Sequence, residues 1–293
     1  MATVHPTTTG EPVAGNYHGR PTYRLENEHV WLEALALAGP RIVRLGLAGS
    51  TENLLAETPE VSWETPLGRY ELLGGHRLWF APEDPDLVAV PDSHGMVLAL
   101  DGDGIRMVGP AEPSTGLRRS TSVRLDPAAA AVAIDDELFN IGDHPLEVAP
   151  WSITQLPPGG LVRLPQPLAI TEHIVHPNRI LVLWPYTSWE DKRLEAREGE
   201  LLVHSAPGPW LKLGSFIEAG WVSYARDGVT FVCRFEPDPA ATYPDRGCNV
   251  EIYSGEPFLE LEVLGPMTVL APGDTVTLSQ RWELSRSVPV NGA

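Results

Sequence analysis

Apolar and polar residues alternate along much of the chain. At Val229, Phe231, Cys233 and Phe235, and again at Val276, Leu278, Gln280, Trp282 and Leu284, every second position is large and mostly apolar. That is the period of a strand with one buried face. Gly and Pro, 27 and 29 of the 293 residues, punctuate short apolar runs, as they do where strands end and the chain turns. The pattern predicts an all-β protein whose strands stack as a sandwich. Helical periodicity is scarce: residues 188–198, with Trp189, Leu194 and mixed charges, predict one short surface helix. The alanine-rich residues 128–133 are assigned to a strand. No linker, charge block or long repeat divides the chain, so one domain over residues 1–293 is expected, with residues 1–20 as a peripheral segment. Two similar turns, LPPGG at 156–160 and LAPGD at 270–274, each precede a strand and are candidates for the same point in two halves of a sandwich.

Charge narrows the partners. A formal net charge of −18, from 39 acidic and 21 basic residues, opposes nucleic acid and anionic membrane, which need a positive footprint. A neutral small molecule fits better. Two cysteines, Cys233 and Cys248, lack any zinc-ligand spacing, which favours a reduced, cytoplasmic setting without a disulfide scaffold. The polar residues 1–19 do not read as an export signal, and no run approaches the roughly 20 apolar residues of a membrane helix. Phosphate-cradling and dinucleotide loops, a serine nucleophile elbow and a His-Glu-x-x-His helix are all missing. No cofactor is expected, and no metal: His173 and His176, three apart, would face opposite ways on a strand.

The densest candidate chemistry lies in residues 74–84, where Gly74 and Gly75 permit a tight turn before His76, Arg77, Trp79, Glu83 and Asp84. An indole beside a guanidinium and a carboxylate suits a sugar, which offers an apolar ring face and vicinal hydroxyls. Its plain alternative is a turn with a surface ion pair. Glu260 and Glu262, two apart in a strand-like run, share one face; in a cleft their proximity would raise a pKa toward that of a general base, and on a solvated face it would not. His94, at a turn, is a candidate proton donor. A further region sets Lys212, Trp221, Tyr224, Tyr243, Asp245 and Glu251 on successive segments, each equally at home on a half-exposed sheet.

Residues 35–55, the GGHRLW cluster and residues 140–160 (NIGDHPLEVAPWSITQLPPGG) together resemble galactose-mutarotase-like, aldose 1-epimerase-related proteins. The resemblance runs from about Leu32 to Leu284 and is most specific in the closing segment, residues 260–282. It implies a β supersandwich with a sugar-sized groove across one sheet and a carboxylate near the C-terminal end as base. Glu262 occupies the matching place, with Glu260 as fallback; His94 or His76 would be the acid that protonates the ring oxygen. Arg77, Trp79, Glu83, Trp151, Lys212 and Glu260 would shape the pocket. Where the family carries a second catalytic histidine, this chain has Trp151 and Thr154.

Three functions follow as expectations. The first is a carbohydrate-binding protein that interconverts sugar anomers; the second is a sugar-binding or sensing module without catalysis, suggested by the missing histidine. The third is a lyase or hydrolase of polysaccharide, disfavoured for polyuronates by the negative charge. The expected partner is a small sugar or oligosaccharide, with a homodimer as a further expectation.

Overall fold

The computed structural model describes residues 13–168 and 177–286, so His173 and His176 lie outside the described residues. Among these, strands dominate and form two large antiparallel sheets and one hairpin. The first sheet runs from Val13–Tyr17 through Arg20–Glu26, Val30–Leu35, Ile42–Leu47, His76–Ala81, Leu146–Leu156, Phe258–Leu264, Val250–Gly255 and Leu211–Ser215 to Val182–Leu183. Thr268–Leu270 pairs beside it with the start of the Leu146–Leu156 strand. The second sheet is centred on Val229–Arg234, Thr275–Arg286 and Ala131–Asn140.

The alternation read from the sequence sets the core between the sheets. Phe231, Cys233, Leu278, Trp282 and Leu284 from one sheet are buried with Leu211, Leu213, Ile252, Leu259, Leu261 and Val263 from the other. Both similar turns do one job: residues 156–160 and 270–274 each carry the chain from a strand of the first sheet to one of the second.

A polar seam crosses this core. His76 bonds through Nε2 to Asp136 Oδ2 (2.9 Å) and through Nδ1 to Thr154 Oγ1 (2.9 Å), while Thr121 Oγ1 donates to Asp136 Oδ1 (2.6 Å). Trp282 packs edge-on against the imidazole at 4.8 Å. Gln280 Nε2 donates to Ser152 Oγ (2.5 Å), and Cys233 Sγ donates to Gln280 Oε1 (3.0 Å). Each group finds a partner across the sheets or on a neighbouring strand, as burial requires.

Two local expectations are corrected. Residues 188–198 form turns followed by the strand Leu194–Arg197, not a helix. Asp191 accepts bonds from the Arg193 amide (3.0 Å) and guanidinium (2.7 Å), a local side-chain turn that competes with helical bonding. Gly199, at φ 80°, then helps return the chain as a hairpin. Only the second half of residues 128–133 is strand, beginning at Ala131. Asp126 accepts the Ala128 amide (2.8 Å), which fixes a turn ahead of it.

Candidate functional site

Strand alternation sorts the first sheet into a core face and an outer face. His76, Leu78 and Phe80 point inward, so Arg77, Trp79 and Ala81 point outward. On the neighbouring strand, paired Trp151 to Trp79 and Ile153 to Arg77, the outward residues are Trp151, Ile153 and Gln155. Beyond them Glu260 and Glu262, then Tyr253 and Glu251, then Lys212 continue the same face. Glu260 and Glu262 therefore do share one surface.

Two additions turn this face into a groove of about 440 Å³. On one side the hairpin of Glu57–Thr65 and Gly68–Gly74 folds over the sheet, bringing Val61, Trp63 and Leu72 to the wall. The turn after it needs glycine: Gly74 and Gly75 have φ of 85° and 72°, and a Cβ on either would lie 2.1 Å from Ala56 O or 2.0 Å from Ile42 O. Arg41, fully buried, ties the hairpin down by donating to Leu72 O, Tyr70 Oη (3.0 Å) and Asp92 Oδ2 (2.7 Å). On the other side a turn carries Trp184 and Tyr186 to the wall. Thr187 clamps it to the sheet, donating to Lys212 O (2.7 Å) and accepting from the Lys212 amide (2.8 Å).

The upper part of the groove pairs a guanidinium with a carboxylate over aromatic rings. Arg77 Nη2 donates to Glu260 Oε1 (2.8 Å), and Gln155 Nε2 donates to the same oxygen (2.9 Å). The guanidinium lies 4.4 Å from the Trp79 ring centre, close enough for a cation–π contact. Trp79 meets Trp151 edge to face at 5.6 Å, and its Nε1 donates to Tyr70 Oη (3.3 Å). Glu83 stands exposed on the lining. Burial raises the Tyr186 phenol to about 12 and raises Tyr253 too, where the Glu260 carboxylate adds to the effect. Both phenols therefore remain O–H donors at neutral pH.

Beneath this lies a denser ionic cluster. Lys212 Nζ is 2.9 Å from Glu262 Oε2 and 2.8 Å from Glu251 Oε2, and 4.8 Å from the ring centres of both Trp151 and Trp184. Trp151 Nε1 donates to Glu262 Oε2 (2.7 Å). Burial pushes Glu251 up to about 9, with the Glu262 carboxylate as the next cause. Burial also raises Glu262, while Lys212 pulls it the other way. Burial works against the Lys212 ammonium, yet Glu262 and Glu251 together hold it above its ordinary range. One ammonium thus faces two buried carboxyl groups, both of which burial raises. Beside the cluster, Gly214 makes room for Cys248: a Cβ there would lie 2.6 Å from Cys248 Sγ.

Arg77, Trp79, Glu83, Trp151, Lys212 and Glu260 thus meet in one groove. His76 does not. It faces the core, 1% exposed, because Arg77 and Trp79 occupy the alternate positions of its strand. His94 sits exposed on the loop before the Val97–Asp101 strand and is not part of the lining. Glu262 is fully buried under Lys212 and Trp151, so of this pair Glu260 is the carboxylate at the groove surface, its side chain 13% exposed. Sequence reasoning missed Trp63, Trp184, Tyr186 and Tyr253, and saw Glu251 only as one acid among several. Among the described residues, no group of three or more His, Cys, Asp or Glu side chains is gathered to hold a metal.

No family model and no curated protein matches the chain in sequence. Solved structures do match in fold. A galactose mutarotase-like protein from Lactobacillus casei superposes with a TM-score of 0.58 at 13% identity, over 90% of this chain and 100% of that one. The Slr1438 protein from Synechocystis gives a TM-score of 0.58 at 13% identity, over 98% and 100%. A TPR-domain containing protein from Parabacteroides distasonis gives 0.62 at 15% identity over 93% of this chain, which spans only 48% of that longer protein.

Proposed function

We propose, starting from a galactose mutarotase-like β supersandwich with an aromatic groove on its outer face, that this chain binds a carbohydrate in that groove. One observation carries the reading: the Arg77–Glu260 pair lies directly against the Trp79 ring, with Trp151 beside it. Indoles cover the apolar face of a pyranose, while a guanidinium and a carboxylate hydrogen-bond its vicinal hydroxyls in two-point fashion. Tyr186 and Tyr253 add O–H donors. A net charge of −18 favours a neutral sugar over a uronate or other anion, which argues against the polyuronate lyase. Among the described residues no imidazole lines the groove, so the reading put first is binding.

A second reading, anomer interconversion, is favoured by the hydrogen bonds at Glu260. Both of its donors fall on Oε1, which leaves Oε2 for the proton of an anomeric hydroxyl. Tyr253, opposite Glu260 on the next strand, would then donate to the ring oxygen, opening the ring to the aldehyde before it recloses on the other face. Anomeric exchange NMR on free glucose and galactose separates the readings. The binding reading expects sugar resonances broadened by the protein with no faster exchange. Acceleration that disappears in Glu260→Gln would establish the enzyme, and neither effect would overturn both.

A further inference from the structure

Next to the groove lies a second cleft of about 500 Å³, and Trp184 lines both. Its other walls include Leu181, Pro185, Asp245 and Arg246. We infer that this cleft is a second subsite, which takes the next sugar unit of a linear, neutral oligosaccharide whose first unit lies in the groove. The inference rests on the proposed reading of the groove.

The backbone is the first argument. Asp245 and Arg246 both adopt left-handed conformations, with φ of 48° and 66°, and Gly247 follows at φ 99°. Two successive non-glycine residues in this region are strained and persist where the surroundings hold them. Here the Cys248 amide donates to Pro244 O (3.0 Å), and Cys248 Sγ donates to Asp245 O (3.1 Å). The result is an exposed acid and an exposed guanidinium side by side on the cleft wall. Among the described residues, neither has an ion-pair partner within 4 Å.

Chemistry is the second argument. An indole with a neighbouring carboxylate and guanidinium repeats the groove's own set of Trp79, Glu260 and Arg77, again suited to a ring face and paired hydroxyls. Asp245 beside Arg246 disfavours an anionic ligand. Trp184 is well fixed for the junction, its amide donating to Lys212 O (3.2 Å) and its ring held over the Lys212 ammonium.

The test is a tryptophan-fluorescence titration with galactose, glucose, maltose, maltotriose, cellobiose and cellotriose. The readout is the affinity of the best trisaccharide relative to its own monosaccharide. The wild type is expected to gain about tenfold or more with length, and Arg246→Gly and Trp184→Leu to bring the ratio close to one. Glycine accepts the left-handed backbone at 246, so that variant is expected to fold at least as well. A ratio of one in the wild type, or an undiminished ratio in both variants, overturns the subsite while the groove stands. No saturable change with any of these sugars overturns the groove reading and the subsite together.

Discussion

The two faces of the first sheet both bury polar side chains, but they satisfy them differently. On the core face His76, Asp136, Thr121, Thr154, Ser152 and Gln280 are joined in pairs across or along the sheets. On the groove face Arg77 Nε and Nη1, Gln155 Oε1 and Glu262 Oε1 are buried without a hydrogen-bond partner among the described residues. Strand alternation puts these two arrangements one residue apart. A fully paired seam stabilises and fixes register; a charged cluster with spare donors and acceptors costs stability and is kept where something is to be recognised.

The sharpest way to break this contrast is to remove the one ammonium that serves two acids. Lys212→Met is expected to lose about 3–5 kcal/mol in urea denaturation at neutral pH, because Glu262 and Glu251 are left buried without the partner they share. A loss under about 1 kcal/mol would mean that the cluster is not a coupled charge network. On the core face, His76→Ala is expected to cost about 2–3 kcal/mol by stripping Asp136 and Thr154 of a partner, with sugar affinity unchanged below the unfolding transition. An affinity loss that parallels the stability loss would erase the distinction between the faces.

Glu260→Gln should shift the balance the other way: a smaller stability loss than Lys212→Met, since amide for carboxylate keeps the shape and an acceptor for the buried Arg77 while removing its counter-charge, and sugar affinity lower by about tenfold or more. The smallest effect is a pH dependence. Glu251 keeps its proton in the folded chain up to about 9, whereas the unfolded chain releases it near the ordinary 4.5. The folded state therefore binds more protons across that window. Its contribution is fully present below about pH 4.5 and fades as pH rises toward 9. Glu251→Gln should flatten the decline of Tm with pH, and so melt above wild type at about pH 8–9 by at least a few degrees. Parallel Tm curves for the two proteins would show that Glu251 does not hold that proton.

Much of this was readable from residue order. Period-two alternation gave the sandwich and put Glu260 and Glu262 on one face. The same rule, applied to residues 76–81 as a strand, separates His76 from Arg77 and Trp79; taking the whole cluster as one candidate pocket passed over it. What alternation does not carry is depth. Glu262 is buried and Glu260 is not because Lys212, arriving from a strand 50 residues earlier, covers one and leaves the other beside Arg77. Trp184 and Tyr186 follow a strand of two residues, too short for any period. The Trp184 and Thr187 bonds to the Lys212 backbone bring them to the groove, and contacts of that separation leave no local signal.

The measurement that bears most directly on the groove is a tryptophan-fluorescence titration of the wild type and Glu260→Gln with the same sugars, after matched melting curves. Trp63, Trp79, Trp151 and Trp184 all line the site, so occupancy should be reported by their emission. The account predicts a saturable change in the wild type that weakens about tenfold or more in the variant, at a temperature where both proteins are fully folded. A saturable change of equal affinity in both proteins would contradict it, because the sugar would then be bound somewhere other than against the Arg77–Glu260 pair.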